Sequence, residues 1–151
     1  MLQQCEGVIP YDGEPNVGSV VEYRKGDILV SNIRPYLKKA WLADRDGGCS
    51  PDVLVFRVAD VLKVNPAYLA FCLKRDSFFK FMMSGTKGMK MPRGDKDSIL
   101  NFVVPVPPIA EQKSIVAEVE SCEAEIARAR AVMDGAPARK RDILHKHGII
   151  L

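Results

Sequence analysis

The stretch VPVPPIAEQKSIVAEVE, Val104 to Glu120, sets three prolines, Pro105, Pro107 and Pro108, directly before a polar, helix-favouring run. Proline has no backbone N–H and a fixed φ, so it stops a strand's ladder yet suits the start of a helix. The chain must therefore change architecture here. Beyond the prolines, Ile115, Val119, Cys122, Ile126, Ala129 and Met133 recur at intervals of 4, 3, 4, 3 and 4, which is a heptad seam. The same register puts Gln112 on the seam at the helix root. An unpaired buried amide there would cost roughly 1–3 kcal/mol, so it is expected to bond nearby backbone. Glu111 in the first turn suits the positive end of the helix dipole. DGAPAR, Asp134 to Arg139, is expected to break the helix through Gly135 and Pro137, leaving RKRDILHKHGIIL as a short returning helix.

Upstream the pattern is different. GDILVSNI, Gly26 to Ile33, and PDVLVFRV, Pro51 to Val58, have the β-branched content of strands, and Pro35 and Gly47-Gly48 frame a third around Lys39 to Leu42. Asn65 can cap and Pro66 can open a helix reaching about Met83. SGTKGMKMPRGDKD reads as a long surface loop, and SILNFVVPVP as a last strand stopped by the prolines. The sum is an α+β chain: a mixed α/β globule over 1–107, then a helical arm over 108–151 with a long coiled-coil-forming helix and a short C-terminal one.

At 151 residues and 47% apolar, the chain has room for one core and an appendage. Its apolar runs fall far short of the roughly 18–20 residues a membrane span needs, and MLQQCEGVIP lacks the pattern of a secretory signal. A cytoplasmic protein is expected. Cys5, Cys49, Cys72 and Cys122 form no CxxC pair, so reduced thiols are expected rather than disulfides or zinc. His145 and His147 are two residues apart, a poor spacing for a metal on a helix. No phosphate-binding glycine loop and no GxSxG elbow is present. An enzyme, a metal and a bound cofactor are all disfavoured.

The net charge of +3 is unevenly spread. Arg24 to Arg45 holds six bases against two acids, a local +4, and Lys74 to Lys96 holds seven against two, a local +5. Glu111 to Asp134 holds six acids against three bases, a local −3. In the second basic stretch Lys87, Lys90 and Arg93 recur with Gly85, Gly88 and Gly94 between them, letting backbone approach a phosphate while cations reach its oxygens. A solvated loop with incidental lysines is the plainer reading of the same residues. In NIRPYLKK, Asn32 and Arg34 are types that contact adenine and guanine edges, with Lys38 and Lys39 beside them; ordinary surface charge at a strand end is the alternative. Tyr36 and Trp41 lie near a β-rich core, read as packing, and are left out of the site. The seam could pack on its own domain, but three heptads containing Cys122 and Ala129 favour pairing with another helix.

YRKGDILVSNIRPYLKKAWLA, CSPDVLVFRV, NPAYLAFCLKRDSFFKFM and above all VPVPPIAEQKSIVAEVE resemble the target-recognition domain and following helix of type I restriction-modification specificity subunits. The resemblance runs from Tyr23 to about Met133, its most specific element being the proline pair, Glu111-Gln112 and Ile115; RKRDILHKHGIIL is also similar to the segment after the family's long helix. It implies a non-catalytic subunit that binds duplex DNA and docks adenine methyltransferase subunits beside a separate restriction subunit. S-adenosylmethionine, ATP and Mg²⁺ would then sit only on those partners. Carried onto this chain, it makes Asn32, Arg34, Lys38, Lys39, Lys87, Lys90 and Arg93 the DNA-facing candidates. Glu111, Gln112, Ile115, Val119, Cys122, Ile126, Ala129 and Met133 become the helix root and partner interface. Members of the family usually carry two recognition domains and two long helices. This chain is therefore expected to self-associate through its helix or to be a fragment, and the stretch before Gly26 looks short for the domain's N-terminal part. The competing expectation is a truncated interaction module that binds the methyltransferase, or a second copy, without reading DNA.

Overall fold

Apolar residues in Ile28-Leu29-Val30 follow one another without a polar break, so a strand made of them must be covered on both faces. In a computed structural model the protein is described at residues 2, 7–9, 18–84, 86 and 92–149, and this stretch is the central strand of its main sheet. The elements are β1 (Val21–Tyr23), β2 (Ile28–Ser31), a 3₁₀ turn (Pro35–Leu37), β3 (Ala40–Leu42), β4 (Gly47–Cys49) and β5 (Val53–Phe56), followed by α1 (Pro66–Leu73), α2 (Asp76–Ser84), α3 (Lys96–Ile99) and α4 (Ile109–Lys146). The antiparallel sheet runs β3-β2-β5, with Leu29 opposite Trp41 on one side and Val55 on the other. Ile28, Val30, Ala40, Leu54 and Phe56 face α1, α2 and α3. There Phe78 is the hub, meeting Phe56, Phe79 and Phe102 edge-on at 6.0, 5.7 and 5.0 Å. Leu29, Trp41 and Ala43 form a second cluster on the other face, against Tyr23, Cys49, Val53 and Val55.

The 3₁₀ turn and three elements depart from the sequence reading. Gly47 and Gly48 lie inside β4, paired with β1, instead of only framing a strand; a Cβ on Gly47 would run into the Tyr23 ring, so glycine serves close packing here. The helix expected over Pro66 to Met83 is two helices broken at Lys74-Arg75. In an unbroken helix Phe78 would stand roughly 140° around the axis from Leu73, at about 100° per residue. The break re-phases the chain so that Leu73 at 3% exposure and Phe78 at 0% are both buried. The strand expected in SILNFVVPVP is not formed. Asp95 caps α3 through the Asp97 N–H, and the Ser98 hydroxyl donates to its other oxygen at 2.6 Å, so a short helix takes the first residues. The rest has no ladder, and Val103 is 85% exposed.

The short returning helix is also absent: α4 runs 38 residues with Pro137 inside it. Proline there removes one i→i−4 bond, and the Arg139 guanidinium donates to the Val132 carbonyl at 3.3 Å in the same turns. Compact units divide at Lys113/Ser114, so the first turn of α4 belongs to the globule. From Ser114 onward the helix is a unit of its own.

Asp27, just before β2, ties the sheet's start together. Its carboxylate accepts from the Arg57 Nε at 2.8 Å, from the Arg57 Nη2 and from the Arg24 N–H at 2.8 Å, and its carbonyl accepts from the Ala43 N–H. Asp27 is buried while the Arg57 side chain stays half exposed. The Arg57 hydrogen bonds, ahead of the burial that opposes them, hold the Asp27 carboxyl below the ordinary carboxylate range. A depressed folded-state pKa gives stability that is present above the unfolded value of about 4 and lost as the pH falls through the folded value. Denaturation followed against pH should show that acid loss. Asp27→Asn should reduce it and lower stability near neutrality by about 1.5–3 kcal/mol, the usual size for bonds to a charged group.

Candidate nucleic-acid interface

Strand β2 ends at Ser31, and the next residues decide where the two basic stretches of the sequence go. The Asn32 N–H donates to the Asp52 carbonyl at 2.8 Å, the Gly94 N–H to the Asn32 carbonyl at 3.2 Å, and the Arg34 N–H to the Pro92 carbonyl at 2.8 Å. Ile33 and Arg93 form an antiparallel bridge. The end of the glycine-rich segment is thus sewn to the end of β2, which brings Arg93 beside the Arg34–Lys39 stretch. Lys87 and Lys90 lie outside the described residues.

The candidates brought together are not equivalent. Asn32 is 3% exposed, which corrects its assignment as a base-contacting side chain: its amide is packed inside. Its Oδ1 has no hydrogen-bond partner, and a Cβ on Gly94 would come within 2.8 Å of that oxygen and 3.0 Å of the Ile99 Cδ1. Glycine at 94 is therefore what lets the returning strand close over Asn32. Arg93 is exposed but its guanidinium forks onto Asp52, Nε to Oδ1 at 3.2 Å and Nη2 to Oδ2 at 3.4 Å. Lys38 reaches the Asp76 carboxylate at 2.6 Å, a hydrogen bond that holds the Asp76 pKa below its ordinary value. Both pairs are open to solvent, where such contacts contribute little. Lys39 is half-buried, and Arg34 is exposed with no hydrogen bond or ion pair to its guanidinium among the described residues.

The turn carrying these residues is strained. Arg34 and Lys38 sit at φ 51° and 48°, the left-handed residues other than glycine among those described, and they flank the 3₁₀ turn Pro35–Leu37. Such a conformation costs on the order of 1–2 kcal/mol for a residue with a Cβ. Lys38 N–H donates to the Pro35 carbonyl and Pro35 is buried, so the turn is fixed on its inner side. Tyr36, which the sequence reading left out, is 51% exposed at the apex, whereas Trp41 is in the core at 8%. No sequence signal marks Tyr36 as outward, because its direction follows from the two left-handed residues around it.

At the other site the root of α4 is built as the register implies. Gln112 is fully buried; its Oε1 accepts from the Asn65 N–H at 2.9 Å, and its Nε2 donates to the Lys63 carbonyl at 2.9 Å and the Pro107 carbonyl at 2.7 Å. Glu111 stands in the first turn. Along the helix Cys122, Ile126 and Met133 are exposed, the last two at 52% and 71%. Val119 and Ile115 are half-buried and Ala129 is exposed. The unbroken helix carries the same register on to Ala136, Lys140 and Ile143. Among the described residues no group of acidic, histidine or cysteine side chains could hold a metal, and no helix is long and apolar enough to cross a membrane.

A two-faced antiparallel sheet with helices on one side, a basic edge at its end and a long helix rooted by a buried amide make up an α+β module. Residues 16–131 match the family model described as type I restriction modification DNA specificity domain, and the chain belongs to that family. It is 30% identical over 99 residues to the type I restriction enzyme EcoDI specificity subunit of Escherichia coli, covering 66% of this chain and 21% of that one. The crystal structure of the HsdS subunit from Thermoanaerobacter tengcongensis superposes with a TM-score of 0.63 at 28% identity, over 81% of this chain and 32% of that one. A chain from a structure of complex assembly and conformational transition of the type I R-M system gives 0.65 at 28% identity, over 88% and 34%. The sequence thus spans about a fifth of the curated relative and a third of the solved chains.

Arg34→Gly removes a Cβ from a left-handed position and no hydrogen bond or ion pair among the described residues, so denaturant unfolding should show stability unchanged or raised by up to about 1 kcal/mol, while Arg34→Val should lower it by about 1–2 kcal/mol. Gln112→Leu strands one N–H and two carbonyls at once, and the same measurement should show a loss of about 2–4 kcal/mol.

Proposed function

We propose that this chain is a DNA sequence-recognition half-subunit of a type I restriction-modification system. It works without catalysis of its own: the globule lies on duplex DNA by the edge that carries Arg34, Lys38, Lys39 and Arg93. The exposed seam of α4 pairs with a second copy or a second specificity half and docks the methyltransferase subunits, with the restriction subunit added to the complex. S-adenosylmethionine, ATP and Mg²⁺ belong to those partners, and the complex works in the cytoplasm. The observation that supports the DNA reading is the Ile33–Arg93 bridge, which brings Arg93 beside Arg34 from some sixty residues away in sequence. The helix reading rests on Ile126, Val132, Met133 and Ile143, each more than half exposed on one helix.

Two to five phosphate contacts should give a log–log slope of binding against salt of roughly −2 to −4.5. The measurement uses the full chain, alone and with its methyltransferase subunit, on random-sequence duplex. Arg34→Ala combined with Lys39→Ala should weaken DNA binding with methyltransferase capture intact. Absence of binding at low salt with the methyltransferase present would leave the chain as an interaction module only.

A further inference from the structure

We propose that the strained turn Arg34–Lys38 is the sequence-reading element of the globule, with Tyr36 as its specificity-determining side chain and Arg34 beside it. This rests on the DNA reading above and goes further, because it separates the side chain that discriminates bases from the cations that hold the backbone.

The turn is fixed on one side and open on the other. The Arg34 N–H is held by the Pro92 carbonyl, Pro35 is buried, and Lys38 is tied to Asp76 on α2. What remains outward is a half-exposed phenol at 51% and an unengaged guanidinium two residues before it. At 51% exposure the Tyr36 ring is only partly covered, whereas a large aromatic is more often packed. The Tyr36 side chain lines a cleft of about 360 Å³ together with Lys38, Asp76, Phe79, Lys80 and Met83. Cations outnumber acids around it: Arg34, Lys38, Lys39, Lys80 and Arg93 against Asp52 and Asp76. That balance favours a polyanion over an acidic or apolar protein surface.

Two left-handed residues that could have been glycine are Arg34 and Lys38. Glycine would fit both backbones without strain; the Lys38 side chain is used inside the fold on Asp76, whereas the Arg34 guanidinium has no hydrogen bond or ion pair among the described residues and is open to a ligand. A guanidinium matches the paired acceptors of a guanine edge, and an aromatic ring on a rigid turn contacts a base face or a thymine methyl. Lys39, flexible and singly charged, suits phosphate oxygens.

The test exposes the full chain, with its methyltransferase subunit, to a pool of randomised duplexes and sequences what is retained. The wild type should enrich a defined motif. Tyr36→Ala should relax one or two adjacent positions of that motif by about tenfold, with the salt slope unchanged because no charge is lost. Arg34→Gly should relax a neighbouring position while the protein melts no lower than the wild type. A motif unchanged in a folded Tyr36→Ala protein overturns the proposal and leaves the DNA reading standing. An unchanged motif with lost methyltransferase capture overturns it too, and makes Tyr36 a protein-docking residue. A wild type that enriches nothing overturns both readings.

Discussion

The Gln112 amide is the interaction on which the root of α4 depends. Proline at 105, 107 and 108 gives the chain a stretch that cannot donate to a sheet, and its carbonyls are met from two sources: the Glu111 and Gln112 N–H groups donate to that of Pro108, and side chains reach the other two. The Tyr68 hydroxyl meets that of Pro105 at 3.0 Å, and Gln112 meets that of Pro107. Burial, ahead of smaller contributions, raises the Tyr68 pKa and keeps the phenol a donor. Gln112 then uses its remaining N–H and its carbonyl on Lys63 and Asn65. A glutamate would face two carbonyls with an anion, and a leucine would satisfy none of the three groups. Asn65 in turn caps α1 with its own side chain, accepting from the Ala67 N–H at 2.8 Å. Two amides therefore connect the first turn of α4 to the first turn of α1.

The far end of β2 is closed by the same principle with a gap in it. Asn32, Gly94 and Asp52 exchange backbone bonds that turn the returning segment into one more antiparallel partner. Asn32 Oδ1 is left without a donor, a penalty that a well-filled core does not normally accept. The fit of Gly94 against that oxygen shows how close the two segments lie. The edge is defined by backbone and shape, and the side chains on its outside are free to serve something other than folding.

What could be read in the sequence was local. The β-branched content of 26–33 and 51–58, the Asn65 cap and the heptad register that puts Gln112 at the root each depend on neighbours within a turn or a strand. What could not be read depended on distance. Asn32 looked like a surface amide until residues 92–94 covered it. FVVPV has strand propensity, yet the Asp95–Ser98 cap claims the residues before it and the prolines deny the rest a ladder. The break between α1 and α2 is a matter of phase, decided by where Phe78 must point. Pro137 reads as a stop from propensity alone, but the helix around it is exposed, where the carbonyl left without its i→i−4 donor, that of Met133, can be met by solvent.

Charge at the basic edge bears on how such a reader would discriminate. Arg93 and Lys38 are each partnered by an acid, and the net charge of the chain is only +3. Phosphate attraction is indifferent to sequence and grows with every unpaired cation. Asp52 and Asp76 blunt it at the two cations they hold, while Arg34, with no acid on its guanidinium, keeps its full hydrogen-bonding capacity for a planar acceptor. In the proposed complex, weak attraction to any duplex would leave affinity to rise only where the bases fit. A second globule brought by a pairing helix would then supply, through effective concentration, the strength that one edge lacks. In that proposed complex, muted charge at the edge and the exposed part of the seam on α4 would be complementary: each suits a half-reader that binds tightly only in company.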